Sequence, residues 1–131
     1  MLTLSNHHCL SIFSRFFTCG YQAFQNDADF KAKTADALYD IADKLSQKYE
    51  SKGDDFIVTA QDDQVNVSMP HNTMLLSRQM PSRQIWVSSP ISGSLKFDYD
   101  NEKDKWYDHK SKQEFSSRIL TEIENIQKTE I

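Results

Sequence analysis

Apolar residues along the chain follow two helical patterns, with a region of alternating polar and apolar residues between them. In the first pattern they recur at steps of three or four, which predicts a helix that buries one side. Asp27 or Asp29 is placed to cap its start, and Lys52 followed by Gly53 marks its end. The buried stripe consists of Phe30, Thr34, Leu38, Ile41, Leu45 and Tyr49.

The second helical pattern lies near the C-terminal end of the chain. Ser111, with Glu114 three residues later, has the spacing of a capping box and predicts the start of a helix. The stripe that this helix buries consists of Phe115, Ile119, Leu120, Ile123 and Ile126.

Between the helices, period-two alternation and regularly spaced turn residues predict strands at 55–60, 64–69, 74–77, 84–88, 95–99 and 105–108. The order of helix, strands and helix predicts an α+β fold. In this two-layer sandwich, both helices pack on one face of an antiparallel five- to six-stranded sheet. The opposite face of the sheet is left to solvent or to a partner.

The fourth predicted strand has an unusually polar setting for a tryptophan. Residues 78–93 read RQMPSRQIWVSSPISG. Because side chains alternate across a strand, Ile85 and Val87 face the core, while Gln84 and Trp86 point outward. An outward Trp86 is an anchor of the kind that dominates protein interfaces, and ordinary packing at the edge of the sheet is the alternative.

Composition and charge limit the possible functions. A chain of 131 residues predicts one domain, and a net charge of −4 argues against nucleic acid as a partner. The charge suits a cationic partner, either a metal ion or a basic protein patch. Beyond Cys19 the chain has no cysteine, which excludes disulfides and thiolate metal sites in that part.

Residues 1–26 differ from the rest of the chain. They contain Arg15 and no acidic residue, and they are rich in Ser and Phe. This composition predicts an organelle transit peptide, with a secretory signal as the alternative, and it leaves 27–131 as the folded domain. The apolar run is too short to span a bilayer, so we expect no membrane partner.

Four acidic residues form a stripe on the first helix, opposite its buried side. Asp29, Asp36, Asp40 and Asp43 fall within roughly 60° of one another around the helix axis. Such carboxylates suit weak surface binding of a hard cation, and a solvated charged face is the alternative. No motif for a nucleophile, a phosphate loop or a buried di-iron site accompanies them. An α+β interaction domain whose acids only aid solubility therefore remains open.

Three segments of the chain resemble the frataxin family. SRQIWVSSPISG is similar to the family's strand signature, and RQMP before it is similar to a Lys-Gln-x-Pro segment. KFDYDNEKDKW after it resembles the next strand, its loop and the strand that follows. The resemblance covers about residues 30–123, including the acidic stripe, the strand order and the closing helix.

The resemblance implies a mitochondrial-type frataxin, an iron-binding regulator or iron chaperone of iron–sulfur cluster assembly. It implies the matrix of a mitochondrion or of a mitochondrion-derived organelle. The expected partners are a cysteine desulfurase and an iron–sulfur scaffold protein. We expect a mostly monomeric protein that iron, Fe2+ or Fe3+, can drive into oligomers. A ferroxidase or iron-storage role through surface carboxylates is the alternative that the family allows.

Family site residues carry over by position. The resemblance implies weak surface binding of iron by six carboxylates, those of Asp29, Asp36, Asp40, Asp43, Asp54 and Asp55. It implies a partner-binding set that consists of Ser82, Arg83, Gln84 and Trp86. Lys31 and Lys33 stand where many relatives have acids, which thins the acidic stripe.

Overall fold

A computed structural model describes residues 24–130 of the protein. Two α-helices pack on one face of a six-stranded antiparallel sheet, which confirms the predicted fold class. The six strands lie side by side in chain order. Neither described helix has the length and apolar character that crossing a membrane requires. The elements are α1 (Asp27–Lys48), a 3-10 helix (Glu50–Asp55), β1 (Ile57–Ala60), β2 (Gln64–Ser68), β3 (Thr73–Gln79), β4 (Gln84–Ser89), β5 (Gly93–Asp100), β6 (Lys105–Asp108) and α2 (Phe115–Thr129).

The start of α1 differs from the prediction in its capping residue. Asn26 is the N-cap, rather than Asp27 or Asp29, and its Oδ1 accepts a hydrogen bond from the Asp29 N–H at 2.9 Å. The two aspartates lie inside the first turn, where negative charge interacts favourably with the helix dipole. The helix buries the side that the sequence predicts, through Phe30, Thr34, Leu38, Ile41, Ala42 and Leu45.

The end of α1 also differs from the prediction. The α-helix stops at Lys48, and the 3-10 helix that follows contains a break at Gly53, which has a φ of 57°. Glycine adopts this left-handed conformation without the steric cost that a Cβ would add. Gly53 therefore marks the turn into β1 rather than the end of the α-helix.

Strand register places the apolar side chains of the sheet on one face. Val65 pairs with Leu76, Leu76 with Val87, and Ile85 with Phe97. All five are buried and join the apolar stripes of α1 and α2 in a single core. The other face, called the outer face below, carries no helix among residues 24–130.

The folded domain includes residues before the predicted boundary at 27. Phe24 is buried, and its ring stacks on that of Tyr99 with 4.8 Å between centroids. It also meets Phe30 edge-on at 5.3 Å. Residues 1–23, which make up most of the predicted transit peptide, lie outside the described residues.

The N-cap of α2 is Glu114 and not Ser111, which corrects the prediction. The Glu114 carboxylate accepts hydrogen bonds from the backbone N–H groups of Ser116 and Ser117 at 3.2 and 3.3 Å. Ser111 instead lies in the preceding turn, where its N–H donates to Asp108 Oδ1 at 3.3 Å. A carboxylate at the N-cap both accepts these bonds and interacts favourably with the helix dipole.

A charged cluster lies on the buried side of α2. Glu122 is 1% exposed, and its carboxylate accepts hydrogen bonds from Ser89 on β4 and from Arg118 Nη1, the latter at 2.6 Å. Arg118 Nε in turn lies 4.0 Å from Asp108 Oδ2 at the end of β6. The cluster therefore connects α2 with two strands of the sheet.

The pKa of Glu122 reflects two opposing effects. Burial by itself raises it, because a charged carboxylate is poorly solvated inside a protein. Hydrogen bonds from Ser89 and Ser92, and the hydrogen bond and charge of Arg118, act in the opposite direction. Their sum outweighs burial, so the pKa of Glu122 lies below its ordinary value and the carboxylate is ionised at neutral pH.

Candidate functional site

Trp86 lies on the outer face of the sheet, as the alternation in β4 predicts. Its pairing partners are Ser77 on β3 and Lys96 on β5. The side chain is half-buried among these neighbours, and Lys96 Nζ lies 4.7 Å from the ring centroid. This is a cation–π contact, in which the lysine ammonium group covers one face of the indole.

Gln84 supports the indole from the same strand. Trp86 Nε1 donates to Gln84 Oε1 at 2.8 Å, and Gln84 Nε2 donates to Asp98 Oδ1 on β5 at 2.8 Å. Asp98 Oδ2 lies 2.5 Å from His109 Nδ1, just beyond β6. The indole of Trp86 is therefore one end of a row of four hydrogen-bonded side chains on the outer face.

Sequence reasoning did not select Lys96, Asp98 or His109 as site residues. A signal for the first two exists, because β5 alternates and sends Phe97 inward while its neighbours point outward. His109 follows β6, and only the pairing of β5 with β6 brings it beside Asp98. No local pattern in the sequence indicates that contact.

The other two residues of the predicted partner-binding set lie at the turn between β3 and β4. Arg83 has a left-handed φ of 54°, and its side chain is only 14% exposed. Its guanidinium donates to the Phe24 carbonyl at 3.1 Å and to Asp27 Oδ1 at 2.7 Å. Ser82 beside it is half-buried. Arg83 therefore connects this turn to the start of α1, whereas Gln84 begins the strand that presents Trp86.

Three of the predicted metal-binding acids are exposed along α1. Asp40 lines two grooves, each with a volume of about 500 Å3. One groove lies between α1 and β1 and is also lined by Asp43; the other lies between α1 and the start of α2 and is also lined by Asp36. The acidic stripe is thus spread along the helix on both sides of Asp40.

Lysines lie close to the acidic stripe. Lys44 Nζ is 3.0 Å from Asp40 Oδ2, one turn along the helix. Lys33 Nζ donates instead to Asp104 Oδ1 at 2.8 Å, and hydrogen bonds from Lys33 and Tyr99 lower the pKa of Asp104. These pairs are exposed, so solvent weakens them, yet Lys44 partly compensates the charge of Asp40.

The remaining predicted acids lie in the first turn of α1 and at the end of the 3-10 helix that follows it. Asp29 is exposed in the first turn, and Asp54 and Asp55 are exposed in the 3-10 helix before β1. Among residues 24–130, no three Asp, Glu, His or Cys side chains come close enough to hold a metal ion together. The acids form a negative surface rather than a closed coordination site.

A family model adds direct evidence of relationship. The model described as "Frataxin-like domain" matches residues 23–129. The chain belongs to the frataxin-like family. This confirms the predicted family, and the match includes both helices, the six strands and the outer face with Trp86.

Two relatives of this frataxin-family chain carry functional names. It is 37% identical over 54 residues to "Frataxin, mitochondrial" of Arabidopsis thaliana, which covers 41% of the chain and 29% of that protein. It is 30% identical over 87 residues to "Iron-sulfur cluster assembly protein CyaY" of Pseudomonas fluorescens (strain Pf0-1), which covers 63% of the chain and 78% of that protein. The chain matches between 29% and 58% of the length of its mitochondrial relatives.

A solved structure of the family has the same fold. Trimeric frataxin from the yeast Saccharomyces cerevisiae, complexed with ferrous iron, superimposes with a TM-score of 0.61 at 25% identity. The superposition covers 71% of this chain and 83% of the yeast chain.

Proposed function

We propose that this frataxin-family protein is an iron-binding regulator, or iron chaperone, of iron–sulfur cluster assembly. It docks on a complex of a cysteine desulfurase and a scaffold protein. The presentation of Trp86 on the outer face, which carries no helix among residues 24–130, is the observation that carries the proposal. The name of the CyaY relative supports a role in cluster assembly, and the name of the plant relative supports a mitochondrial location, for which we propose the matrix.

Docking uses Trp86 as a flat, amphipathic anchor. The indole N–H of Trp86 donates to Gln84, and Lys96 covers one face of the ring. The other face of the ring is therefore the part that a partner contacts. Truncating a hot-spot residue at the centre of an interface, a class in which tryptophan is enriched, costs about 2 kcal/mol or more of binding free energy. Ser82 and Arg83 flank this surface at the β3–β4 turn and complete the docking set.

The acids of α1 contribute the second part of the mechanism. Exposed carboxylates that do not converge bind a hydrated Fe2+ or Fe3+ ion weakly, and a weakly held cargo is easily released. The same negative surface attracts a basic patch on the desulfurase and accelerates association. The surface consists of Asp29, Asp36, Asp40, Asp43, Asp54 and Asp55.

Reconstituted cluster synthesis at fixed iron tests the docking role. We expect Trp86→Ala to lose the stimulation of synthesis with little change in melting temperature. The matched control is Ile57→Ala, which removes another exposed apolar side chain from β1, at the edge of the sheet. Unchanged stimulation by Trp86→Ala, together with a large fall in stability, would contradict docking through Trp86.

An anaerobic Fe(II) titration followed by NMR tests the iron role. We expect paramagnetic broadening confined to residues around Asp36, Asp40, Asp43 and Asp55. Mg2+ is the diamagnetic control for effects of added charge. Uniform broadening, or none at all, removes the iron part of the proposal and leaves docking intact.

Iron oxidation and storage is the second candidate function. Exposed carboxylates aligned on α1 favour it, as does the trimer with ferrous iron of the yeast relative. Oxygen consumption and molecular size are measured together after aerobic addition of Fe(II). Storage predicts oxygen uptake that rises together with the growth of oligomers, whereas an iron chaperone leaves the oxidation rate of free Fe(II) unchanged.

A further inference from the structure

The outer-face row consists of Trp86, Gln84, Asp98 and His109. Three successive contacts of 2.8, 2.8 and 2.5 Å connect the indole N–H to the imidazole of His109. The row crosses from β4 to β5 and then to the residue that follows β6. Gln84 and Trp86 are close neighbours on β4, whereas Asp98 and His109 come later in the chain. Only the pairing of the strands brings the four side chains together.

The donors and acceptors along the row can be arranged in only one way. The Asp98 carboxylate can only accept hydrogen bonds, so it requires the amide nitrogen of Gln84 on one side and a protonated Nδ1 of His109 on the other. With its nitrogen bound to Asp98, the Gln84 amide must turn its carbonyl oxygen toward Trp86. That oxygen is the acceptor that the indole N–H requires. Asp98 therefore decides which way the Gln84 amide faces.

The row is sheltered at its centre and open at its far end. Gln84 is 9% exposed, and the side chains of Asp98 and His109 are 13% and 56% exposed. The His109 N–H also donates to the Lys96 carbonyl at 2.8 Å, which fixes its backbone beside β5. Lys96 in turn covers one face of the indole. Trp86 thus has its polar atom and one ring face engaged before any partner arrives.

We propose that Asp98 and His109 are positioning residues that hold Trp86 in its docking orientation through the Gln84 amide. The inference rests on the docking role proposed above for Trp86. A side chain fixed in its bound orientation loses less conformational freedom on association, so the row strengthens docking without touching the partner. His109 is the member whose substitution disturbs the core least, because it is the most exposed.

Indole NMR of the free, 15N-labelled protein tests the positioning directly. The chain has two tryptophans, Trp86 and Trp106. The indole N–H of Trp106, which is buried in the core, reports in the same spectrum whether a variant remains folded. In Asp98→Ala and His109→Ala we expect the Trp86 signal to shift and its exchange with solvent to accelerate by about fivefold or more, as loss of one ordering hydrogen bond predicts.

Two further variants separate positioning from a general effect of mutation. His109→Asn places an amide N–H donor near the position of Nδ1, so we expect it to restore most of the wild-type Trp86 signal. His71→Ala makes the same substitution in the exposed turn between β2 and β3 and should leave both indole signals unchanged. An unchanged Trp86 signal in both Asp98→Ala and His109→Ala overturns the proposal.

Binding to the desulfurase–scaffold complex completes the test. We expect His109→Ala to weaken binding by about two- to fivefold and His109→Asn to restore it, with a larger loss for Trp86→Ala. If the indole signal moves while neither His109→Ala nor Trp86→Ala alters binding, the positioning is correct and the docking role is wrong. If Trp86→Ala alone weakens binding, docking stands and the positioning role of His109 is overturned.

Discussion

Replacing Arg118 with methionine is a demanding test of the charged cluster on α2. The substitution leaves Glu122 buried without its cation. Breaking a buried ion pair by removing one partner costs about 3–5 kcal/mol. The Arg118 side chain is 16% exposed, and the hydrogen bond from Ser89 remains, so we expect the lower end, about 3 kcal/mol at pH 7. For a domain of this size that corresponds to a fall of about 12 °C in melting temperature.

The loss of stability in Arg118→Met should be larger at neutral pH than at acidic pH. In the wild-type protein the pKa of Glu122 is lowered from 4.5, so the cluster stabilises the fold above that pH and loses its effect as the pH falls through the folded pKa. Arg118→Met removes groups that lower this pKa, while burial continues to raise it. The difference between wild type and variant is therefore largest near neutral pH and shrinks below about pH 5.

Urea unfolding followed by far-UV circular dichroism at pH 7 and pH 4 measures this difference. Adding Glu122→Gln to Arg118→Met removes the buried charge and should recover much of the stability. Lys48→Met is the control, because it breaks an exposed ion pair between α1 and α2, in which Lys48 and Glu124 are 41% and 53% exposed, and it should barely move the urea midpoint. A loss below about 0.5 kcal/mol for Arg118→Met, or one that is equal at both pH values, would refute the reasoning.

Three further predictions address single positions. Lys44→Ala frees Asp40 from its lysine and should strengthen Fe(II) binding by about two- to fivefold in the NMR titration; no change would show that this pair does not compete with iron. Burial, followed by the hydrogen bond to Asp104, raises the pKa of Tyr99 to about 12. A raised tyrosine pKa stabilises the fold below about pH 10, and this stabilisation is lost as the pH rises toward 12. Tyr99→Phe should therefore abolish the phenolate absorbance step near pH 12 and make the stability depend less on pH in alkaline solution. Gly93→Ala should cost about 1–2 kcal/mol in urea unfolding, since the φ of 77° is strained for alanine while nothing lies within 4 Å of an added Cβ; a neutral result would mean that the turn relaxes.

Patterns in the sequence were sufficient to predict the architecture and the presentation of Trp86. Helical and strand periodicities each specify which side of an element is buried, and that information is local. Ile85 and Val87 are buried while Trp86 lies on the outer face, as the alternation in β4 requires. The exposure of Asp36 and Asp40 on α1 follows from the same kind of pattern.

Other features depend on which segments meet in space. Asn26 and Glu114 cap the helices in place of the residues that local spacing favoured, because several polar side chains near each start compete for the same backbone N–H groups. The position of Glu122 within an apolar stripe, four residues after Arg118, was a signal of a buried pair. That signal became interpretable only once Ser89 on β4 was seen to complete the cluster.

The sequence by itself determined the elements, their buried faces and the outward position of Trp86, because these follow from the repeat of the backbone. Only the tertiary structure decided how Trp86 is held and where Arg83 points. Both depend on side chains that the strand pairing and the packing of α1 bring together across long separations in sequence. Hydrogen bonds of this kind need distance and direction to be right at once, and periodicity specifies neither.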